Sequence, residues 1–249
     1  MLPPSFSSAL PAWLARVKKR IGFASDGRRG LLTEAIAVPP RSEHLSRSYA
    51  LLVSRGLGAS TGTTAVDSRL VVDGRERARI DSLLKQHGVA RRAYLLVVPG
   101  AAYGPAKSWP WERYRRACES IARETPVVLS GSAGDRATCE RIASGLPGVF
   151  NLAGETSLGE FFALVEAARV MVANDSGAPH VAASLGVPVV TLFGSTSPAW
   201  TAPQGPRVEI LQHKVHCNPC FRRTCPTQLE CFNGIEPAEV VASVRRALS

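Results

Sequence analysis

The second part of the sequence constrains the fold most, because from Tyr94 onward short apolar runs alternate with segments of helical periodicity. Runs of strand length lie at residues 94–98, 126–129, 149–152, 169–173, 187–193 and 208–211. Helical patterns follow them at residues 111–124, 135–144, 157–168, 179–185 and 237–248. Continuous Val- and Leu-rich strands joined by crossover helices are typical of a parallel sheet covered on both faces. We therefore predict a Rossmann-like α/β domain in this region.

One helix has local support. Ser157 and Glu160 form a predicted capping box, and the apolar residues that follow have helical spacing, namely Leu158, Phe161, Phe162 and Val165.

The first part of the chain is weaker in pattern: it suggests helices at residues 9–17 and 46–54, a short strand around Ile21, and a Gly, Ser and Thr linker at residues 54–64. Residues 1–66 therefore resemble a partial domain.

Composition limits the classes of protein and of partner. With 45% apolar residues the chain is long enough and apolar enough to form a core, and its net charge of +10 attracts anions. No apolar stretch approaches the roughly 20 residues of a membrane span. The opening places its basic residues after an apolar run, which is the reverse of a secretory signal, so we expect a cytoplasmic location. Nonspecific nucleic-acid binding is motivated by charge alone, without an interleaved aromatic stripe.

Candidate ligand contacts lie in loops that follow the predicted strands, because ligands of parallel sheets bind outside the strands' carboxyl ends. In the loop PGAAYGPAKSWP, Lys107 offers a point charge for a diphosphate, and the alternative is a solvated lysine in a turn. The loops SGSAGD and NLAGETS are weaker signals. They offer a possible Asp135 cap and, at Glu155 and Thr156, contacts to a ribose or base edge.

The loop NDSGAPH is a predicted phosphate contact. The N–H groups of Ser176 and Gly177 would lie at the positive end of a helix dipole. An ionised Asp175 would repel a diphosphate unless it faced elsewhere, so we expect it to bind hydroxyls or cap the helix. His180 could donate to a phosphate, and the alternative is a half-buried helix histidine.

Four of the six cysteines lie close together, at Cys217, Cys220, Cys225 and Cys231. Their number satisfies a structural zinc site, although the usual long gap between two cysteine pairs is missing. A metal site, free thiols and disulfides all remain open. Cys118 and Cys139 lie on predicted helices, where burial is expected.

Taken together and in this order, PGAAYGPAKSWP, LSGSAGD, NLAGETSL and VANDSGAPHVAASLGVPVVTLFGSTSP resemble the ADP-heptose:lipopolysaccharide heptosyltransferases of glycosyltransferase family 9, most of all the heptosyltransferase II branch. The opening LPPSFSSALPAWLARVKKRIGF is similar to a strand-to-helix segment of that family's N-terminal domain. The resemblance implies a GT-B fold of two Rossmann-like domains. Residues 1–66 would be a partial acceptor-side domain, and residues 67–249 the nucleotide-sugar-binding domain.

The same resemblance implies inverting transfer of L-glycero-D-manno-heptose from ADP-heptose to the lipid A-core of lipopolysaccharide, without a metal or other cofactor. Lys107 matches the lysine at the donor diphosphate, where it would stabilise the leaving group. Asp175, Ser176, Gly177 and His180 match the diphosphate and sugar end of the donor site, and Thr156 matches the adenosine region. Ala102 and Tyr103 stand where relatives can have hydroxyl residues. The acceptor would bring the protein into peripheral contact with the inner face of the inner membrane.

One departure concerns the general base. In the family, a Gly-Asp loop near the start of the N-terminal domain carries the presumed base, and that loop has no counterpart here. We therefore expect a chain truncated at its front that binds donor but transfers heptose poorly. The alternative is a non-catalytic ADP or nucleotide-sugar binding module.

Overall fold

The computed structural model describes residues 4–58 and 69–248, which form two compact units. One comprises the described residues of Met1–Asp67 together with Ala199–Thr201, and the other those of Ser68–Pro198 and Ala202–Ser249. Within these described ranges, every helix is too short or too polar to cross a bilayer.

Among its described residues up to position 58, the first unit includes the helices α1 (Phe6–Leu14) and α2 (Leu45–Leu57) and the short parallel strands β1 (Ile21–Phe23) and β2 (Glu34–Ile36). Its small core consists of Ile21, Phe23 and Leu52. Helix α2 continues through Leu57, so the start of the predicted linker is helical, and residues 59–64 of that linker lie outside the described residues. The sequence pattern gave no indication of β2, which has only three residues and is partly exposed.

An arginine is buried inside the first unit. The Arg28 Nε donates to the carbonyl of Phe23 at 2.9 Å, and its Nη1 donates to the Ser8 hydroxyl at 3.0 Å. A side chain on Gly22 would place its Cβ 2.9 Å from the Arg28 guanidinium. Glycine at this position therefore makes room for the arginine beside β1.

The remainder of the chain alternates strands and helices almost as predicted. The elements are α3 (Gly74–Gln86), β3 (Leu95–Val98), α4 (Trp111–Ile121), β4 (Val127–Leu129), α5 (Arg136–Ala143), β5 (Val149–Asn151), α6 (Leu158–Ala167), β6 (Val170–Asn174), α7 (Gly177–Ser184), β7 (Val189–Phe193), α8 (Pro198–Thr201), β8 (Val208–Gln212), α9 (Glu230–Asn233) and α10 (Pro237–Leu248). All six strands and all five helices predicted from Tyr94 onward are confirmed, with shifts of a few residues at their ends. Helix α3 was not among the predictions.

The six strands β3 to β8 form one parallel sheet in the order β5-β4-β3-β6-β7-β8. From β3 the chain first builds outward through β4 and β5, and then returns to the other side of β3 with β6. This strand order is that of a doubly wound sheet, whose switch point lies between β3 and β6. The predicted Rossmann-like sheet is therefore confirmed.

Strand β3 shows why the strands are apolar throughout. Leu95 and Val97 belong to the core on the face covered by α4, α5 and α10, whereas Leu96 and Val98 belong to the core under α3, α6 and α7. Both faces are thus buried, and every position of the strand needs an apolar side chain.

Helix α6 begins at the predicted capping box. The Ser157 hydroxyl accepts from the Glu160 N–H at 3.3 Å, and the Glu160 carboxylate accepts from the Ser157 N–H at 2.7 Å. Of the predicted apolar face, Val165 is buried and Phe161 and Phe162 pack against the core, but Leu158 is 72% exposed. Residues of the later turns, such as Leu164, share the core with the buried residues of α3.

Helices α3 and α6 are also joined by an ion pair. Arg77 donates to both carboxylate oxygens of Glu166, each at 2.7 Å, and Arg91 adds a contact at 3.2 Å. The hydrogen bond from Arg77, ahead of other causes, lowers the pKa of Glu166 below its ordinary value. The bidentate geometry makes this pair a defined contact between the two helices.

Candidate functional site

Two charged side chains meet at the carboxyl edge of the sheet, at its switch point. Lys107 lies in the second half of the loop that follows β3, and Asp175 directly follows β6. The Lys107 ammonium donates to Asp175 Oδ2 at 2.6 Å and lies 3.4 Å from the Asp175 carbonyl. The Lys107 side chain is 15% exposed and that of Asp175 only 5%. The strand order therefore places an ion pair where doubly wound sheets bind ligands.

A hydroxyl completes this cluster. Thr196 follows β7, the strand next to β6, and its Oγ1 donates to the same Asp175 Oδ2 at 2.6 Å. Thr196 is 3% exposed. Thr196 was not among the predicted site residues, although the position of GSTSP directly after a buried strand was a usable signal.

The structure corrects one interpretation of Asp175. Asp175 does not occupy the expected cap position, since Ser176 is the N-cap residue of α7, and the Ser176 side chain makes no cap hydrogen bond. Asp175 instead accepts from the Lys107 ammonium and the Thr196 hydroxyl. Its binding of a ligand hydroxyl stays a prediction.

The start of α7 is compatible with an anion. Gly177 and His180 are exposed, Ser176 is half-buried, and the first turn carries no acidic side chain. Exposed N–H groups at the positive end of a helix dipole attract phosphate oxygens. The exposure of His180 argues against the half-buried alternative.

The buried side chain of Asn174 holds the Lys107 loop in place. Asn174 ends β6, and its Oδ1 accepts from the Trp109 N–H and the Tyr114 hydroxyl, both at 3.0 Å. Its Nδ2 donates to the carbonyl of Pro99 at 2.6 Å. Asn174 therefore fixes both ends of the Lys107 loop to β6.

The loops after β4 and β5 pack against one another. The Asp135 carboxylate accepts from the Ser132 N–H at 2.8 Å and from the Ser132 hydroxyl at 2.7 Å, so the predicted Asp135 cap is present as part of a capping box at the turn before α5. Asp135 is also the N-cap residue of α5, but its side chain makes no cap hydrogen bond to that helix. A Cβ on Gly100 would lie 2.5 Å from the Asp135 carboxylate, which explains that glycine. Thr156, the predicted adenosine contact, is half-buried beyond β5, on the same edge of the sheet.

Residues 221–223 brace the Lys107 loop. The Tyr103 hydroxyl donates to the Phe221 carbonyl at 2.8 Å, Arg223 Nε donates to the Tyr103 carbonyl at 2.9 Å, and the Ala106 N–H donates to the Arg223 carbonyl at 3.0 Å. Gly104 has a φ of +149°, and a Cβ there would lie 2.5 Å from the Arg223 carbonyl oxygen. The Tyr103 hydroxyl thus has a partner within the protein.

The six cysteines are free thiols. Cys217 is exposed, Cys220 and Cys225 are half-buried, and Cys231 is buried. Within residues 4–58 and 69–248, no group of three or more His, Cys, Asp or Glu side chains is placed to hold a metal ion. A hydrogen bond with Thr227 lowers the pKa of Cys225, whereas burial raises that of Cys231. Buried Cys118 and Cys139 each have a pKa raised to about 12 by desolvation, in agreement with the expected burial.

Known proteins resemble this chain over most of its length. The sequence model of glycosyltransferase family 9 (heptosyltransferase) matches residues 1–230. The chain is 32% identical over 231 residues to lipopolysaccharide heptosyltransferase 2 of Salmonella typhimurium, strain LT2, with 86% of this chain and 66% of the relative covered. The corresponding protein of Escherichia coli K12 is 32% identical over 235 residues, with the same coverage.

A solved relative extends the comparison to three dimensions. The structure of E. coli ADP-heptose LPS heptosyltransferase II matches with a TM-score of 0.78 at 27% identity, and the match covers 99% of this chain and 74% of that one. The predicted α/β fold of the GT-B class is confirmed by this match. The chain spans just under two thirds of the length of the two curated relatives.

Proposed function

Because the chain belongs to glycosyltransferase family 9, we propose that its second unit binds ADP-heptose and that the protein transfers the heptose to the lipopolysaccharide inner core. The observation that carries the proposal is the Lys107–Asp175 pair, 2.6 Å apart at the switch point of the sheet. A cation held there, beside the N-terminus of α7, suits the diphosphate of a nucleotide sugar. The curated relatives are named as heptosyltransferases, which supports the same reaction.

The proposed reaction is a direct displacement. An acceptor hydroxyl attacks the anomeric carbon of the heptose on the face opposite to ADP and loses its proton to water. The bond from that carbon to the phosphate oxygen breaks as the new glycosidic bond forms. The configuration therefore inverts. Negative charge grows on the departing ADP, where the Lys107 ammonium and the N–H groups of Ser176 and Gly177 stabilise it.

The other proposed contacts follow the edge of the sheet. His180, exposed on the first turn of α7, would donate to the diphosphate, and Asp175 would face the sugar hydroxyls. Thr156, beyond β5, would contact the adenosine. The loops after β5 and β6 are separated by those of β4 and β3, which leaves the width of several strands for an extended nucleotide sugar.

Nucleotide binding by the full chain tests this proposal. We expect ADP to bind more tightly than adenosine in titration calorimetry, and Lys107→Met to weaken ADP about tenfold or more while changing adenosine little. The control is Lys85→Met, which removes an exposed lysine on α3. The proposal would be refuted if the wild type does not bind ADP, or if Lys107→Met weakens the affinities for ADP and adenosine equally.

Transfer distinguishes an enzyme from a binding module. The sample that binds ADP is incubated with ADP-heptose and a lipid A-core acceptor, and the product linkage is analysed by mass spectrometry and NMR. Inverted heptosylated product supports the enzyme. Donor binding without any transfer supports the non-catalytic alternative.

We also propose that the protein works at the cytoplasmic face of the inner membrane through peripheral contact. Its acceptor would be lipid-anchored, and the net charge of +10 favours an anionic surface. Co-sedimentation with phosphatidylglycerol vesicles, lost on phosphatidylcholine vesicles or at high salt, tests this location. Equal sedimentation with both lipids would contradict it.

A further inference from the structure

Asp175 Oδ2 accepts two hydrogen bonds of different kinds. One comes from the Lys107 ammonium and one from the Thr196 hydroxyl, each at 2.6 Å. The ammonium carries a full charge on a flexible stem, whereas the hydroxyl is neutral and lies on a short side chain. Only the Lys107 ammonium has a positive charge that attracts both a carboxylate and a phosphate.

Donor binding creates a conflict at this oxygen. If Lys107 turns toward the donor diphosphate, its hydrogen bond to Asp175 weakens. Asp175 is only 5% exposed, so little water can replace the lost partner. Loss of a charged hydrogen-bond donor from a buried carboxylate is unfavourable, and this cost would oppose movement of the lysine.

The position of Thr196 allows its hydroxyl to reduce that cost. Its side chain is 3% exposed, and its carbonyl accepts from the Gln212 side chain at 3.2 Å at the end of β8. The Thr196 hydroxyl is therefore held beside Asp175 from a neighbouring strand, independently of the Lys107 loop. It remains a donor to the carboxylate whichever way the lysine points.

We propose that Thr196 is a positioning residue of the donor site, which holds the Asp175 carboxylate and so frees the Lys107 ammonium for the diphosphate. This inference rests on the proposed function. It predicts that the Thr196 hydroxyl strengthens binding of a diphosphate more than binding of a nucleoside, although no ligand atom needs to contact Thr196.

The test compares affinities of the full chain for ADP and adenosine. Thr196→Val should weaken ADP about tenfold, the usual order of effect for a hydrogen bond to a charged group, and adenosine less than about twofold. Thr196→Ser keeps the hydroxyl and should recover most of the ADP affinity. Thr196→Ala carries the same prediction as Thr196→Val if the valine variant does not fold.

Thr191→Val is the matched control. Thr191 lies on β7, is fully buried, and its hydroxyl lacks a hydrogen-bond partner among the described residues. Replacing it with an isosteric apolar side chain should leave ADP affinity unchanged. A control variant that loses as much ADP affinity as Thr196→Val would point to general repacking of β7 and overturn the inference.

A double-mutant cycle with Asp175→Asn tests the route of the effect. The amide has no charge to hold, so Thr196→Val should change ADP affinity less than about twofold in the Asp175→Asn background. Additive effects, or equal losses for ADP and adenosine in Thr196→Val alone, would overturn the inference while leaving the proposed function standing. A wild-type chain that fails to bind ADP would remove the proposed function, and this inference with it.

Discussion

Replacing Asn174 with leucine should destabilise the second unit more than any change of similar size on the surface. The Asn174 side chain is 0% exposed and has three polar partners, the Trp109 N–H, the Tyr114 hydroxyl and the Pro99 carbonyl. Two donors on one side and an acceptor on the other fix the orientation of the amide. Leucine has nearly the same volume, so the change removes the hydrogen bonds without leaving a large cavity.

The magnitude follows from the partners that are left unsatisfied. Each buried polar group without a partner costs about 1–3 kcal/mol, so the loss of all three contacts should cost about 3 kcal/mol or more. For a domain of about 150–250 residues this corresponds to a fall in Tm of roughly 6–12 °C. Tyr114→Phe removes only the hydroxyl and should cost about 1 kcal/mol.

Urea denaturation followed by far-UV circular dichroism measures both variants. The comparison requires similar m-values, which show that the unfolded surface has not changed. A free energy of unfolding for Asn174→Leu that is no lower than that of Tyr114→Phe would refute the reasoning, because it would mean that water or rearranged side chains satisfy the three groups.

Two further predictions concern titratable groups. The pKa of Glu166 is lowered chiefly by the hydrogen bond from Arg77, so the stability this pair adds is present above its ordinary pKa of 4.5 and is lost as pH falls through the folded-state value. The Tm difference between wild type and Arg77→Gln should therefore be larger at neutral pH than in acid, and a difference that does not shrink as the pH is lowered through the acid range would contradict the assignment. The pKa of Cys225 is lowered by its hydrogen bond with Thr227, whereas that of Cys231 is raised by burial. At neutral pH iodoacetamide should therefore modify Cys225 before Cys231, and it should modify Cys225 more slowly in the Thr227→Val variant. Equal labelling of the two thiols by mass spectrometry would contradict this order.

The sheet could be predicted from the sequence because its strands are buried on both faces. A run such as residues 94–98 has no polar position, and it is therefore visible without knowledge of its neighbours. Helix α3 gave a weaker signal: Ile80, Leu83 and Leu84 are its buried residues, in a segment that is otherwise mostly charged or polar. Its Asp73 N-cap, whose carboxylate accepts from the Arg75 N–H at 2.7 Å, was a signal that went unused.

The loops of the candidate site could be predicted, but the pairing within them could not. Lys107 and Asp175 were selected separately, as groups placed after strands. Their contact depends on β3 lying beside β6, and strand order is set by the packing of whole crossover units. Local pattern therefore could not show that the carboxylate faces the lysine, and the interpretation of Asp175 as a cap followed from that gap. Thr196 was missed for the same reason, since its importance lies in the neighbouring strand.

The contacts that hold the Lys107 loop also have a consequence for folding during synthesis on the ribosome. The loop is made early, but its hydrogen-bond partners come more than a hundred residues later: Arg223 and Phe221 hold Tyr103 and Ala106, and the Trp109 ring nitrogen donates to the carbonyls of Phe232 and Ile235. Synthesis proceeds at about 5–20 residues per second, so this loop waits for seconds before its partners exist. The contacts that hold the Lys107 loop are therefore among the last that a nascent chain of this protein forms.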